Sequence, residues 1–426
     1  MGRDLTKRYS ALFERKGLRY LLRLARDIYE YRKLSEVASF VVWETFHKLG
    51  LFPKAKYLAL NNEPLKLESQ SLDDPDFAAS IGSHFTSKGL SVARAGQNWK
   101  VLFIKNDQEF FGCRYPEDTE LYKSVDGGRS ATYLDRFPER IKSLFVSSQG
   151  TVFVCVKGAV YRSPDGGRSF DKCLDLGSPV SFFRHNNGMT ETPTGTLIIG
   201  EYGNVWNERG WKKLAYLYFS SDDGETWDTS DFLIKKGVNK HVHLVKYSRL
   251  LNKVFMADGD NYKKLWVSDA LDSADLQDPS RWVPITKFHI QMGGYTAVTE
   301  TDGKILFGTD YQGGTNFVVE SSNGESFDKR VVPDPYRRSP IINMVQRRTR
   351  RGNEIWAYLP YSVAGTKCLL MYSADGGQSW NRMIEYSKSE HKVWLVNSSN
   401  EVPDVLYFSI EDLRSGARVV YEVRDR

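Results

Sequence analysis

Long apolar runs are missing from this chain. No stretch approaches the roughly 18 consecutive apolar residues of a membrane-spanning helix, and the N-terminus has neither an apolar signal core nor a small-residue cleavage site. Cysteine is scarce as well. The four copies, Cys113, Cys155, Cys173 and Cys368, are far apart and form no CxxC pair, which argues against a structural zinc site and against a disulfide framework. Excess charge of one sign is also lacking over most of the length. Nearly all of the net +6 arises between Arg3 and Lys48, where eleven basic residues stand against six acidic ones. The remainder is close to neutral, which argues against nucleic acid as a partner of the whole chain. A cytoplasmic protein with reduced thiols is the expectation these absences leave.

What is present is a repeat. With 41% hydrophobic and 13% aromatic residues the chain can build a sizeable core, and its 23 Tyr and 23 Phe suit strands. Four segments follow one pattern, S-x-D-x-G-x-[ST], three of them closed by an aromatic: 124–130, 163–170, 220–227 and 373–380. A decayed copy runs from Glu320 to Phe327 with Ser322 in the place of Asp, and another, interrupted by an insertion, spans Ser268 to Trp282. In such a turn the Asp carboxylate accepts backbone N–H bonds, Gly supplies φ > 0, and the aromatic packs between neighbouring units.

These segments resemble the Asp-box, or BNR, repeat of sialidases and related β-propellers. The resemblance implies an all-β fold of four-stranded blades, with the boxes away from the substrate face. Reading outward from each box gives seven units, at 99–137, 141–177, 180–233, 240–287, 292–332, 339–387 and 390–424, with six blades the alternative. The last unit has only three strands, and Gly89–Ala95 is placed to supply the fourth. Three regions follow: a basic amphipathic helical extension over 1–52, a connecting segment over 53–98 that holds the closing strand, and the propeller over 99–426.

In the extension, Leu18, Leu21, Leu22, Ala25, Ile28 and Tyr29 recur at helical spacing, with Arg15, Arg19, Arg23 and Arg26 on a separate stripe. A second helix is expected from Ser35 to Leu49, with Ser35 as N-cap, Gly50 at C′ and Pro53 as a stop. A basic amphipathic helix of this kind suits either the propeller surface or an anionic membrane, here through residues 1–50 at the inner face.

The repeat also predicts where chemistry should sit. In a blade, the start of the inner strand and the end of the second strand share one face, and the box turn lies on the other. That face gathers Arg184, His185, Asn187, Glu201 and Tyr202 from unit three. Unit four adds His241, His243, Asp258 and Asp260, unit five Tyr295, Asp310 and Tyr311, and unit six Arg337 and Tyr361. His, Tyr, Arg and carboxylates converging on one pocket are the ingredients of acid–base catalysis on an anionic substrate. Each also has a plainer reading: His241 as a hydrogen-bonded loop residue, Tyr295 and Tyr361 as rim packing. Asp258 and Asp260 around Gly259 suit a turn, or a calcium ion held by oxygen ligands. No cofactor or metal is required.

The sialidase likeness stops short of the catalytic pattern, since no Arg-Ile-Pro motif precedes the first box and no three-arginine set is evident. The face is similar instead to seven-bladed propeller lyases and hydrolases of uronate-containing polysaccharides. That second resemblance implies His185 and His243 as acid–base groups, with Tyr311 or Tyr361 as partner; the topology sets Glu201 beside them as a further catalytic candidate. It implies Arg184 or Arg337 as the clamp on the uronate carboxylate, while the blade topology places Asn187, Tyr202, His241, Asp258, Asp260, Tyr295 and Asp310 as lining. The expected function is therefore an enzyme acting on an acidic oligo- or polysaccharide, a membrane-linked glycan included. The alternative is a non-catalytic propeller that binds glycan or protein.

Overall fold

The computed structural model describes residues 17–30, 34–67, 72, 74–207, 210–238, 240–259, 264–285, 294–360, 363 and 365–425. Seven antiparallel sheets follow one another around an axis, so the chain is a seven-bladed β-propeller. Composition grades along each blade. The inner strands of blade 2, Ser143–Val146 and Val152–Val156, are buried at every position because both their faces meet another blade. Its outermost strand, Asp171–Asp175, is half-exposed and carries the polar residues.

Blade 7 closes the ring. Its three C-terminal strands, His391–Leu395, Leu406–Asp412 and Arg418–Asp425, are completed by Leu90–Arg94, which pairs antiparallel with the last of them. Joining the two ends of the propeller in one sheet removes the open edge that would otherwise face solvent. Blade 1 gains an extra inner strand, because Asn397–Ser399 from blade 7 runs parallel to Leu102–Ile104.

The Ser-x-Asp turns have one geometry at the four intact sites. At the first, Asp126 Oδ1 accepts the Ser130 N–H at 2.9 Å, Ser124 Oγ accepts the Gly128 N–H at 2.9 Å, and the Ser130 hydroxyl donates to Asp126 Oδ2 at 2.7 Å. The Ser130 backbone, then the Ser130 and Ser124 hydroxyls, hold the Asp126 carboxyl down at about 2. Gly224 shows why the glycine is needed: its φ is +83°, and an added Cβ would lie 2.4 Å from the Phe153 ring of the previous blade. The decayed copy corrects the sequence alignment. Ser321 Oγ accepts from Gly324 and Asn323 Oδ1 accepts from Ser326, so the turn is one residue shorter and Asn323, not Ser322, takes the carboxylate's place.

The segment before the propeller holds more structure than a connector. Helix α1 spans Leu18–Glu30, α2 Leu34–Lys48 and α3 Pro75–Thr86. The start of α2 at Leu34 puts Ser35 inside the helix rather than at its cap. Between α2 and α3, Ala59–Asn61 and Leu65–Lys66 run parallel to the outer strand of blade 6, Ser379–Tyr386. Helix α3 is N-capped by Asp74, whose Oδ1 accepts the Asp76 N–H at 2.9 Å. It wedges its apolar side between blades 6 and 7. Phe85 stacks on Trp356 and on Phe408, with ring centroids 6.2 and 5.5 Å apart.

Phe85 is fully buried in that wedge. Phe85→Ala should therefore cost about 3–5 kcal/mol of stability, seen as a lower denaturant midpoint with an unchanged slope. A loss under about 1 kcal/mol would mean that α3 is not part of the cooperative core.

Candidate functional site

The inner strands of a propeller turn unpaired backbone groups toward the axis, and here one loop answers them. Residues 183–187 leave blade 2, enter the channel and then begin blade 3. His185 Nδ1 accepts the Leu144 N–H of blade 2, so the ring is the Nε2–H tautomer, and that N–H is shared between Leu102 O of blade 1 and Val396 O of blade 7. Arg184 donates to His243 O of blade 4 at 3.5 Å and to Ile342 O of blade 6 at 3.0 Å. Asn187 donates its amide to Thr296 O of blade 5, and its carbonyl accepts the Val245 N–H. One loop thus bonds to all six other blades. A cavity of about 10 Å³, room for one water molecule, lies beside this loop.

This placement corrects the expected roles of His185 and Asn187. His185 has both ring nitrogens committed to backbone, and burial pushes its pKa down to about 4. Both residues fill the channel instead of facing a substrate. Arg184 shares the framework role, yet remains partly exposed at the channel mouth.

At that mouth four of the expected residues do meet. The Tyr202 ring lies 4.1 Å from that of His241 and 6.1 Å from that of His243, and the two imidazoles are 5.0 Å apart. The Arg184 guanidinium sits 5.7 Å from the Tyr202 ring centre. His241 Nδ1 donates to Gly203 O at 2.6 Å, which leaves the lone pair on Nε2. Burial, and then nearby charge that includes Lys240 and Arg184, pushes both histidines well below their ordinary range, so they are neutral. Tyr202 is the partly exposed ring of the three.

The other candidates are placed elsewhere. Glu201, just past the strand Leu197–Gly200, turns away from Tyr202's neighbours. It accepts from Tyr218 OH at 2.5 Å and from the Gly177 N–H at 3.0 Å, and burial raises its pKa. Asp258 takes the turn reading: its oxygens accept the Lys264 N–H and the Trp266 indole N–H. Tyr295 is buried against Phe307, and Tyr311 is buried against Gly314 in its own loop. Asp310 is tied by its backbone N–H to Gly294 O. Asp260 and Tyr361 lie outside the described residues. Among the described residues no group of three or more His, Cys, Asp or Glu is arranged to hold a metal ion.

Arg337 is the clearest correction. Its guanidinium is a carboxylate clamp, as its sequence position suggested, but the carboxylate belongs to Glu44 of α2. Arg337 bonds both Glu44 oxygens, Arg338 adds a bond at 2.9 Å, and Thr315 and Asp334 complete the cluster. Glu44 is fully buried there, with Trp43 edge-on to Phe317 at 5.0 Å.

Two features escaped the sequence reading. Lys246 lines the cavity beside the channel loop with Arg184, Asn186 and Asn400, and burial lowers its pKa. Its place in the inner strand Val242–Ser248, three residues past His243, was the available signal. A second cavity, of about 340 Å³, opens at the edge of blade 6 among Lys66, Lys367, Glu385 and Glu390, away from the histidines.

His185 sets a pH dependence. Its pKa falls from 6.5 unfolded to about 4 folded, so the unfolded chain binds a proton first as pH drops. His185 thus contributes stability above the unfolded value that is lost as pH falls from 6.5 toward 4; His241 and His243 act in the same direction. Denaturant midpoints measured from about pH 8 to pH 4 should be flat at first and then decline. A midpoint constant down to about pH 4 would contradict the buried, neutral imidazoles.

No protein-family model matches the chain, and no curated protein matches it. Among solved structures it is similar to a streptogramin B lyase, at 11% identity over 79% of this chain and 98% of that one, with a TM-score of 0.51. It is also similar to virginiamycin B lyase from Staphylococcus aureus solved with quinupristin, at 11% identity, 79% and 99% coverage and a TM-score of 0.52. A xyloglucanase from Xanthomonas campestris matches at 13% identity over 69% of this chain and 46% of that one, with a TM-score of 0.49. At such identities the likeness to the two lyases is one of fold, the seven-bladed β-propeller.

Proposed function

We propose that this propeller acts on an acidic, uronate-type glycan by proton transfer at the channel mouth, on the face opposite the Ser-x-Asp turns. The observation that carries the reading is the single cluster of Tyr202, two neutral imidazoles and a guanidinium, with Tyr202 4.1 Å from His241 and 5.7 Å from Arg184. Perturbed titratable groups gathered at a channel mouth are a mark of functional sites. The fold permits this chemistry without selecting it.

The roles follow from what each group has left to offer. Arg184 uses two bonds on backbone carbonyls, and its fork retains N–H donors for a sugar carboxylate. A neutral imidazole of His241 or His243 is a competent base at neutral pH, which a protonated one is not. Tyr202 carries an O–H that can protonate a leaving sugar oxygen. In an elimination, the base takes the proton beside the carboxylate and its electron pair forms the ring double bond. The bond to the departing sugar breaks, and that oxygen takes the proton from Tyr202. Hydrolysis would use the same acid and base with water as nucleophile.

The test is incubation of the full chain with uronate-containing oligosaccharides, following absorbance for an unsaturated product and mass for added water. Tyr202→Phe and His243→Ala should each lower turnover by roughly 10²–10⁴-fold while near-UV circular dichroism is kept. Binding without turnover would instead favour the alternative reading, a non-catalytic propeller that binds glycan or protein, in its glycan-binding form. Neither binding nor turnover on any acidic glycan removes the enzyme and the glycan-binding module, and leaves the protein-binding propeller.

A further inference from the structure

Helices α1 and α2 form a hairpin whose outer side is apolar and bare. The inward side is accounted for: Leu24 and Asp27 of α1 are buried, with Tyr20, Ile28 and Val37 packed around Leu24. Phe40 and Glu44 of α2 are buried as well. The outward side carries Leu18, Leu22 and Tyr29 of α1, which are 73%, 61% and 89% exposed, and Leu34 and Val42 of α2 with Leu49 just beyond it, at 71%, 52% and 67%. An apolar patch of this extent is uncommon on a protein that meets only water. Neither helix crosses a bilayer: they have 13 and 15 residues, and no described helix is long and apolar enough to span.

Charge chooses the occupant. On the α1 wheel, Arg26, Arg19 and Arg23 form a row along one edge of the stripe that holds Leu18, Leu22 and Tyr29. Arg19 and Arg23 have no ion-pair partner among the described residues, and Arg26 has only a 4.0 Å contact with Glu30. The hairpin's Asp27 and Glu44 are turned inward. A second copy seated on this face with its α1 antiparallel would set one arginine row against the other, and in either orientation it would offer those arginines no anion. A surface that offers hydrocarbon depth beside anionic head groups satisfies both halves at once.

We infer that the hairpin is a lipid anchor, lying in the interface of an anionic bilayer with its apolar side down. Its connection to the propeller is stiff. Glu44 locked between Arg337 and Arg338, and Trp43 against Phe317, seat α2 at blade 5, at the end of the blades where Tyr202 and His243 also lie. Docking therefore brings the channel mouth near the head groups. The inference stands whether or not that mouth is catalytic.

The experiment is co-sedimentation of the full chain with vesicles of phosphatidylcholine alone or mixed equally with phosphatidylglycerol, at low and high salt. Sedimentation should occur with the anionic vesicles, weaken with salt, and be slight with phosphatidylcholine alone. Arg19→Gln with Arg23→Gln should lower the partition coefficient by on the order of twenty-fold. Leu18→Ser with Leu22→Ser should abolish binding while leaving the melting temperature unchanged, because both positions are exposed. No sedimentation with anionic vesicles overturns the inference. So does a concentration-dependent dimer, by light scattering, that the leucine variant dissolves, since a second copy would then cover the face.

Discussion

The channel loop is the constraint on which the rest of the structure depends. Seven blades meeting at an axis leave backbone donors and acceptors pointing into a space from which bulk water is excluded, and each unpaired group there costs free energy. Residues 184–187 supply what is missing at each height of the channel: a guanidinium fork for two carbonyls, an Nε2–H shared by two more, and an amide for another. Only donor-rich side chains suit this task. That requirement explains why Arg, His and Asn cluster in the sequence at this point without any appeal to a substrate. The same loop fixes the register of blades that have no direct contact across the axis.

The Glu44 cluster is the counterpart at the rim. A carboxylate with no exposed surface survives only if it is fully bonded, and two guanidiniums of the propeller, Arg337 and Arg338, hold it on the side that α2 covers, with Thr315 in turn accepting from Arg337. Such buried pairs add little net stability over an apolar contact, but breaking one leaves an uncompensated charge, so they select one seat for the helix over others. The N-terminal extension is in this sense part of the propeller rather than a tail beside it. Helix α3 makes the same point with apolar contacts, Phe85 standing between Trp356 and Phe408 of successive blades.

Much of the fold was legible because it is local and repeated. The Ser-x-Asp-x-Gly turns specify themselves within seven residues, and the blade count and the closing strand before Trp99 follow from their spacing. Helix α3 was not legible, since its apolar pattern is short and its partners, Trp356 and Phe408, lie some 270 to 320 residues away. At the site, topology pointed to one end of the blades, and Arg184, Tyr202, His241 and His243 lie together there. It could not say which way a side chain turns. Glu201 and Tyr202 are adjacent, yet one faces Tyr218 and the other the histidines. Nor could it show that the carboxylate meant for Arg337 was already in the chain, at position 44.

The electrostatics of the channel mouth point toward an anion. His241 and His243 are kept neutral by burial, with Arg184 and Lys240 adding positive potential that opposes protonation further. A carboxylate arriving beside Arg184 would cancel part of that potential and stabilise the imidazolium form of either ring. On the proposed reading, the base is therefore weak while the site is empty and strengthens when an acidic ligand binds. A neutral ligand of the same shape would exclude water without supplying that charge, and the imidazoles would remain poor proton acceptors. Selectivity for acidic sugars would then arise in the proton-transfer step as well as in binding, from the same desolvated pair of rings.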